Sequence, residues 1–486
     1  SSHFGLRSID TPSHSLSLSL ATVWSDVMAA ARVLGRASIC SEASRSSLAT
    51  TAGGSSTDLP RGTPSSTRSW HVSEKNRMPP LASLLTVLSV QLLINVGMAI
   101  IYPTVLSYSE ELGAGRSFSG FIVALLPFTS LLCNYPQQRL MEWASLRSMF
   151  FFTSAGNVLA NVLYACAGLT HSKYTLLIAR VLMGMFACNN PVILYIARSV
   201  GLNHRSWAMM VLSSVMGAGY VLGPFLAFLT ALFCKDFRID NLVVDQNTLP
   251  GWLMAFLWFT LLVLQPFLYV EPSLDDEIMG ETLPTEPELS QEQRPGLVAV
   301  GLLLFIQVVG GMTFGFWEVF AAMHCTRAWG WSDGTAGLYM ASVMGALLVV
   351  CVFFSIRVSG KLPDRLVLAW SCLGSTAAAP LLFDYGLPRS ATLGLFTAGS
   401  FAMLTGCQLF RGSANALCSK VVPNSLQSLM TTMMCMATNV GRGIGPIMAT
   451  RLGIQAFAGT LLCVMASATL GTACAFGRLR PHRKAT

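Results

Sequence analysis

Four ionisable residues lie inside long apolar segments of this sequence, where burying a charge is costly. They are Arg180, Glu318, Arg411 and Arg442. An ionisable side chain costs at least about 2.5 to 3.5 kcal/mol at the centre of a membrane-inserted helix, so each of the four is a candidate functional residue. Three cations against one carboxylate favour an anionic ligand, because guanidinium groups bind oxyanions through several N–H donors. The alternative is an ion pair between Glu318 and Arg442, which would leave little net charge.

Two of these residues have the chemistry needed to move a charged solute. Arg411 lies nine residues before Lys420, about 14 Å along a helix, which predicts a position near the middle of the membrane. There the guanidinium group is predicted to hold the negative group of a substrate, because it stays charged at any relevant pH. Glu318 is the only acid well within an apolar segment, and we predict that it exchanges protons as a cavity opens and closes.

Side-chain amides accompany these charges. The candidates on apolar segments are Gln91, Asn95, Asn189, Asn190, Gln307, Gln408 and Asn415. Asn189 and Arg411 are 222 residues apart, the same spacing that relates several other matched positions of the chain, so we expect them at equal depth. Each amide has an alternative role, since polar side chains also join membrane helices by hydrogen bonds. The common depth favours a ligand site for Asn189 and Arg411.

The elements that position these residues must be membrane helices. The chain of 486 residues is 53% hydrophobic and only 11% charged, with a mean hydropathy of +0.57, whereas soluble proteins are about 25% charged. Windows of about 20 apolar residues predict twelve spans. The first six are 81–105, 118–133, 150–169, 174–196, 207–233 and 251–270, and the second six are 296–321, 335–356, 366–383, 391–418, 426–450 and 453–476.

The net charge of +8 does not require a nucleic-acid partner, because the basic residues are distributed unequally between the two sides of the predicted membrane spans. With a cytosolic N-terminus, the cytosolic loops and tails hold fifteen of the Lys and Arg residues near the spans, and the opposite loops hold seven. The positive-inside rule therefore predicts that both termini are cytosolic.

The segments outside the two sets of spans have different compositions. Residues 1–77 are rich in serine, with eight Lys or Arg and five Asp or Glu, and are predicted to be disordered. They are either a transit peptide, or a cytosolic tail or gene-model artefact ahead of a start at Met78, and we favour the second interpretation. Residues 271–295 are predicted to be an acidic cytosolic linker between an N-terminal bundle (78–270) and a C-terminal bundle (296–476). Residues 477–486 are predicted to be a basic cytosolic tail.

The sequence gives no sign of enzyme chemistry. His171, His204 and His324 lack an acid or nucleophile at a spacing that would form a reactive cluster. The thirteen cysteines include no C-x-x-C pair and no zinc-like spacing with histidine. We therefore predict a protein that is not an enzyme and that needs no metal or cofactor.

One short glycine- and proline-containing sequence occurs twice. GAGYVLGPFLA (217–227) has a near copy in GRGIGPIMA (441–449). At a constant spacing of 222 residues, the matched positions are Gly219 and Gly441, Gly223 and Gly445, and Pro224 and Pro446. Glycines let helix backbones approach closely and proline permits a bend, so the motif is predicted to serve gating, with ordinary close packing as the alternative. The repeat predicts two related halves with a substrate site between them near the midplane.

Two loops resemble the signature loop of the major facilitator superfamily of transporters. GKLPDR (360–365) matches the family pattern G-x-L-x-D-R through Gly360, Asp364 and Arg365. In the other half, QRLMEWASLR (138–147) resembles a decayed copy that retains Glu142 and Arg147.

Two helix motifs carry the same resemblance. RVLMG (180–184) is similar to the R-x-x-x-G motif of the family's fourth helix, which implies a coupling role for Arg180. Tying helices together through backbone carbonyls is the alternative role of this arginine. GAGYVLGP (217–224) resembles the glycine–proline motif of the family's fifth helix.

The resemblance implies an all-α membrane protein with twelve transmembrane helices in two pseudo-symmetric six-helix bundles. The segment 316–337, with its Glu and Trp-Ser pair, is similar to the lysosomal ceroid-lipofuscinosis member and to plant vacuolar phosphate transporters that carry an SPX domain. The implied function is secondary active transport of a small anionic solute by alternating access, coupled to protons, by a monomer in the bilayer. An endomembrane is favoured over the plastid envelope or plasma membrane. The alternatives are a non-transporting receptor or scaffold, or an anion channel, on the same fold.

Overall fold

A computed structural model describes eight segments of the chain. They are residues 78–141, 143–187, 189–233, 237–239, 242–272, 297–357, 362–421 and 424–479. The predictions for residues 1–77, and for most of the linker and the C-terminal tail, lie outside these segments. Glu142 and Gly360 of the two signature loops also lie outside them.

The N-terminal half contains nine helices and one hairpin in its described segments. The helices are α1 (Leu81–Ala99), α2 (Val105–Glu111), α3 (Arg116–Met141), α4 (Leu146–Ala165), α5 (Ala167–Thr170), α6 (Lys173–Phe186), α7 (Asn190–Ser199), α8 (Leu202–Phe233) and α9 (Leu249–Leu268). An antiparallel hairpin, β1 (Phe237–Ile239) and β2 (Leu242–Val244), lies between α8 and α9. The hairpin is a small departure from the predicted all-helical chain. In its sequence, FRIDNLVV, an Asp-Asn pair is flanked by Ile on one side and by Leu and Val on the other. Apolar residues on both sides of such a pair are typical of hairpins.

The C-terminal half supplies the seventh to twelfth spans as α10 to α15. They are α10 (Leu297–Arg327), α11 (Asp333–Arg357), α12 (Asp364–Ala378), α13 (Arg389–Val421), α14 (Asn424–Ala449) and α15 (Ile454–Ala475). Short 3-10 turns follow α12 at Ala379–Leu382 and α15 at Phe476–Leu479. In the N-terminal half the spans are, in order, α1, α3, α4, α6 with α7, α8 and α9.

The predicted fold of twelve spans in two bundles is confirmed. Within the described segments, ten helical stretches are long and apolar enough to cross a membrane, with α6 and α7 forming one stretch. The remaining two positions, α4 and α14, complete the twelve and are less apolar. On α14 the polar side chains include Thr438, Asn439 and Arg442, which lowers the hydropathy of a helix that faces the other half.

Two predicted spans are interrupted, in each case next to a proline. The first span was expected to run over 81–105, but α1 ends early and a turn containing Pro103 precedes α2. The fourth span was expected to be continuous over 174–196, but it divides into α6 and α7. Pro191 lies in the first turn of α7, where its ring would clash with the carbonyl of Ala187 in an unbroken helix.

The signature loops are shorter than the sequence suggested. Gln138–Met141 continues α3, and Arg147 belongs to α4, where its guanidinium donates to a backbone carbonyl of α9 at 2.8 Å. In the other half, Asp364 and Arg365 form the first turn of α12, where a carboxylate is favoured by the helix dipole. The Arg365 guanidinium lies over the Phe476 ring at 5.3 Å.

The glycines of the repeated motif pack each half against its own first span. A Cβ added to Gly223 of α8 would lie 2.6 Å from the Ala99 Cβ at the end of α1. A Cβ added to Gly445 of α14 would lie 2.5 Å from the Met312 carbonyl oxygen of α10. The same two crossings also involve Gly219 and Gly441. The repeat thus produces equivalent backbone contacts in both halves.

The prolines of the same motif face the opposite half. Here α8 packs against α11, and α14 packs against α3. A Cβ added to Gly337 of α11 would lie 2.8 Å from the Pro224 carbonyl oxygen, and one added to Gly120 of α3 would lie 2.6 Å from that of Pro446. Each motif helix, α8 or α14, is therefore closely packed on two sides. Its glycines contact the first span of its own half, and the carbonyl oxygen of its proline contacts a glycine of the other half.

Gly445→Ala is expected to destabilise the protein, because the new methyl group meets backbone atoms of α10 that cannot rotate away. Overpacking of this kind costs about 1 to 3 kcal/mol. The thermal unfolding midpoint in detergent measures the effect. Gly412→Ala on α13 is the matched control, since an added Cβ there meets nothing within 4 Å. Equal midpoints for the two variants would contradict the tight crossing.

Candidate functional site

Arg411 lies on α13 in a cluster of polar side chains. Its Nε donates to Gln307 Oε1 at 3.3 Å and its Nη1 donates to Gln408 Oε1 at 3.4 Å. The guanidinium lies over the Phe314 ring at 5.6 Å. Gly310 of α10 makes room for the side chain, because a Cβ there would lie 2.5 Å from Arg411 Cγ. No carboxylate in the described segments forms an ion pair with Arg411, so N–H donors remain for a ligand.

In each half, a glutamine of the first span is hydrogen-bonded to a residue of the fourth span. The fourth-span residues, Asn189 and Arg411, are 222 residues apart and so occupy matched positions of the repeat. Gln91 Nε2 donates to Asn189 Oδ1 at 2.9 Å, as Gln307 accepts from Arg411 in the other half. Gln307 Nε2 also donates to Asn415 Oδ1 at 2.9 Å. Since Asn189 and Arg411 are equivalent in the repeat, the halves present related polar pairs, of which only the C-terminal pair is charged.

Glu318 and Arg442 form an ion pair between α10 and α14. Arg442 Nη2 lies 2.5 Å from Glu318 Oε1, and the exposed fractions of the two side chains are 7% and 2%. The structure therefore has the pairing that the sequence left open as an alternative. Each charge offsets part of the burial cost of the other, and breaking such a pair by removing one member is strongly destabilising.

The Arg442 guanidinium also contacts its own repeat counterpart. Its Nη1 donates to the hydroxyl of Tyr220, 222 residues earlier, and its Cζ lies 4.5 Å from the centre of that ring. Two residues related by a twofold axis touch only if both lie near the axis. The ion pair therefore lies at the centre between the halves. The sequence signal for this contact was the spacing itself, which aligned the two residues without indicating that they meet.

Two further groups of the N-terminal half hold the ion pair. Arg442 Nη1 lies 3.2 Å from Met98 Sδ, and the buried Tyr102 side chain lies close to the Glu318 carboxylate. Tyr102 is 3% exposed and follows the end of α1. Sequence reasoning missed it, because an uncharged residue beside a proline carries no signal of a buried partner. The ion pair of one half is thus tied to side chains of the other.

Arg180 is not part of this cluster. It lies on α6 within the N-terminal half and is 0% exposed. Its Nη1 contacts the Gly97 carbonyl oxygen at 3.4 Å and Met183 Sδ at 3.2 Å, both within the N-terminal half. The structure therefore brings together Glu318, Arg411 and Arg442 and separates Arg180 from them.

Comparison with known families agrees with this architecture. Residues 87–446 match the model of the Major Facilitator Superfamily. The chain belongs to the Major Facilitator Superfamily. It is 25% identical over 439 residues to an SPX domain-containing membrane protein of Arabidopsis thaliana, covering 79% of this chain and 58% of that protein. It is 27% identical over 237 residues to an uncharacterized MFS-type transporter of Schizosaccharomyces pombe, covering 46% of this chain and 45% of that protein. The chain spans about half the length of these relatives.

Solved structures of superfamily transporters share the fold. A D-xylose-proton symporter superimposes with a TM-score of 0.64 at 15% identity, covering 83% of this chain and 98% of the symporter. A peptide transporter POT in complex with sulfate gives a TM-score of 0.63 at 10% identity, covering 85% and 99% of the two chains. At these identities the likeness establishes the fold alone. Family and fold together make this chain a multi-pass membrane protein of the Major Facilitator Superfamily.

The halves of this major facilitator chain are also joined at one end. We call this end the distal side; it is the side on which α10 ends and α11 begins. There the Ser107 hydroxyl donates to the Asp333 carboxylate. Arg327 forms an ion pair with Glu110 nearby. Both contacts cross from one half to the other, so the distal ends of the two bundles lie together.

Proposed function

We propose that this chain is a monomeric secondary active transporter that moves a small anion by alternating access and couples its movement to protons. The observation that carries the proposal is the placement of Arg411. It has no ion-pair partner in the described segments and lies within electrostatic range of the buried Glu318–Arg442 pair at the pseudo-twofold axis. Two cations and one carboxylate leave one positive charge where transporters built from parallel repeats bind their substrates.

The surroundings of Arg411 suit an oxyanion. Gln307 is buried and fixes the arginine from one side, while Asn415 is exposed beside it. A phosphate, sulfate or carboxylate group accepts several hydrogen bonds from one guanidinium, and such charge-assisted bonds are about twice as strong as neutral ones. We therefore place the negative group of the substrate against Arg411, with the amides of Gln408 and Asn415 completing its hydrogen bonds.

The proton is proposed to act at Glu318. The groups that face this carboxylate are Arg442, Tyr102 and, at longer range, Arg411. Protonation of Glu318 removes the negative charge that holds Arg442, which frees the Arg442 guanidinium to attract the substrate or to release Tyr220. Binding of a proton and binding of an anion at this centre are therefore linked.

Alternating access requires the distal contacts to separate in part of the cycle. A cysteine pair at Ser107 and Asp333 tests this, because these side chains touch across the two halves. Oxidative cross-linking of Ser107→Cys/Asp333→Cys is expected to stop uptake, and reduction is expected to restore it. Each single cysteine variant, treated in the same way, is the control. Undiminished uptake by the cross-linked protein would exclude an opening of the distal side.

The proposed location is an endomembrane. The segment that resembles lysosomal and vacuolar members, residues 316–337, also contains Glu318, and a proton site suits a compartment with a pH gradient across its membrane. Imaging of a tagged full-length chain checks the location, and exclusive plasma-membrane labelling would contradict it.

Flux measurements with purified protein in liposomes test the function. Labelled inorganic phosphate, sulfate and succinate are supplied with and without a pH gradient. We expect saturable uptake of at least one anion, with accumulation that requires the pH gradient. Non-saturating flux driven by voltage alone would indicate an anion channel, and no flux of any of the three would contradict a transporter of small anions.

A further inference from the structure

Gln307 is a buried glutamine of α10 whose hydrogen-bonding capacity is fully used. Its side chain is 1% exposed. Its Oε1 accepts from Arg411 Nε at 3.3 Å and from the Thr438 hydroxyl at 3.1 Å. Its Nε2 donates to the Arg411 carbonyl oxygen at 3.1 Å and to Asn415 Oδ1 at 2.9 Å. A side-chain amide has two donors and two acceptor positions, so none is left for a ligand. Gln307 therefore acts on a bound anion only through its neighbours.

These neighbours also determine which way round the Gln307 amide lies. A guanidinium group only donates hydrogen bonds, and a backbone carbonyl oxygen only accepts them. Exchanging Oε1 and Nε2 would place a donor against Arg411 Nε and an oxygen against the Arg411 carbonyl oxygen. The amide is therefore fixed with its oxygen toward the guanidinium and its nitrogen toward Asn415.

The same bonds leave one end of the Arg411 guanidinium open. Its Nε is occupied by Gln307, and its Nη1 contacts Gln408 Oε1 at 3.4 Å. Its Nη2 makes no hydrogen bond in the described segments and is not among their fully buried unpartnered atoms, unlike Nη2 of Arg180. The Arg411 side chain is half-buried. The Nη end of this guanidinium is therefore accessible to a ligand, and it offers N–H donors only.

The two amides beside this guanidinium also have donors to offer. Asn415 Oδ1 accepts from Gln307, and Gln408 Oε1 accepts from Arg411. Within the part of the chain that the structure describes, Asn415 Nδ2 and Gln408 Nε2 donate to no protein group. Asn415 is exposed and Gln408 is half-buried, so a ligand has room beside both. The amide oxygens are turned toward Gln307 and Arg411, and the NH2 groups are left for the ligand.

We propose that this site selects oxyanions without an acidic hydrogen, such as sulfate or a carboxylate, over hydrogen phosphate, and that Gln307 sets the preference. The inference rests on the proposed function, since it concerns the same anion site. Sulfate and carboxylate groups only accept hydrogen bonds, which suits the N–H groups of Arg411, Gln408 and Asn415. Hydrogen phosphate also carries an O–H donor, which loses its bond to water and finds a surface of donors. Gln307 sets the preference because it holds the Asn415 oxygen inward.

Two dianions of nearly the same shape test the preference. Monofluorophosphate has a fluorine where hydrogen phosphate has a hydroxyl, and both are dianions in mildly alkaline buffer. The unfolding midpoint of the purified full chain is followed against the concentration of sulfate, monofluorophosphate or phosphate at constant ionic strength. We expect sulfate and monofluorophosphate to bind about tenfold more tightly than phosphate. Arg411→Met is expected to remove the response. Equal affinities for monofluorophosphate and phosphate, or a response that Arg411→Met retains, would overturn the inference.

Gln307→Met tests the role of the glutamine without changing the charge. Methionine has a similar length and no amide, so Asn415 is free to turn its oxygen toward a ligand. We expect the affinities for monofluorophosphate and phosphate to become nearly equal in this variant. Gln265→Met is the matched control, because it removes a buried glutamine that bonds to Ser154 and to the Arg147 carbonyl oxygen in the N-terminal half. It is expected to keep the wild-type preference. A preference that Gln307→Met also keeps would exclude the role of Gln307.

A second variant and an uptake measurement complete the test. If Gln307→Met does not fold, Asn415→Ser replaces an exposed amide by a hydroxyl that also accepts, and it is expected to reduce the preference in the same way. An unchanged preference in Asn415→Ser would be a contrary result. Binding with the expected preference but without uptake into liposomes would contradict the transport function and support the selectivity. Uptake with equal affinities for monofluorophosphate and phosphate would contradict the selectivity alone, and no binding of any of the three anions would contradict both.

Discussion

Replacing Arg411 by alanine is expected to abolish uptake of the transported anion, whereas Arg411→Lys is expected to retain a reduced rate. Lysine keeps the charge but loses the planar set of donors and the bonds to Gln307 and Gln408. A hydrogen bond to a charged group contributes about 1.5 to 3 kcal/mol, so losing one such bond weakens substrate binding at least about tenfold. Initial uptake rates over a series of substrate concentrations in proteoliposomes separate the effect on binding from the effect on turnover.

Arg451→Ala is the matched control for this experiment. Arg451 is an exposed arginine that follows α14, and its replacement is expected to leave uptake at the wild-type rate. Wild-type unfolding midpoints for the Arg411 variants would show that their loss of uptake is not a loss of folding. Wild-type uptake by Arg411→Ala would mean that another group holds the charge of the substrate.

Replacing Glu318 by glutamine is expected to remove pH-driven accumulation and to spare exchange of substrate down its gradient. Glutamine keeps an oxygen that accepts a hydrogen bond from Arg442, but it does not ionise. Uptake into vesicles with an imposed pH gradient measures the coupled reaction. Counterflow at equal pH, with unlabelled substrate inside, measures exchange alone. Accumulation that still follows the pH gradient in this variant would exclude Glu318 as the proton site.

A second variant separates loss of the proton site from damage to the ion pair. Glu318→Gln leaves Arg442 charged and buried without its partner, which costs about 3 to 5 kcal/mol. In Glu318→Gln/Arg442→Gln both charges are removed, so part of the lost stability is expected to return. Coupling to the pH gradient is expected to stay lost. If the double variant regained pH-driven accumulation, the defect of the single variant would be due to the unpaired arginine.

The sequence contained enough to predict the spans, the two halves and the repeated motif. Apolar windows and a constant spacing are properties of the chain itself, so neither needs knowledge of which helices touch. The contacts of Arg442 with Met98 and Tyr220, and the isolation of Arg180, were not predictable in the same way. These depend on how each helix is rotated about its own axis and on how the halves are placed against each other. Tyr102 is the clearest example of a residue that the sequence could not identify, since it lies near Glu318 only because the two halves are in contact.

The interruption of the fourth span was within reach of the sequence. Pro191 follows two asparagines, and a proline inside an apolar segment is a sufficient reason to end the helix before it. The prediction of a continuous span over 174–196 used the mean hydropathy of the segment, and a mean does not register a single proline. The signature loops are shorter than predicted, because several of their charged residues are of types common in loops but form helix ends.

The contacts of Gly337 with Pro224 and of Gly120 with Pro446 would give the proposed transport cycle a temperature dependence. These contacts leave no room for a methyl group between the helices, and separating the halves hydrates the surfaces that they cover. Exposure of apolar surface raises the heat capacity by about 0.45 cal/mol/K for each Å². The equilibrium between the closed and open distal side therefore varies with temperature along a curve rather than a line. Since hydrophobic association weakens on cooling, cold is expected to favour the open distal side in the proposed cycle.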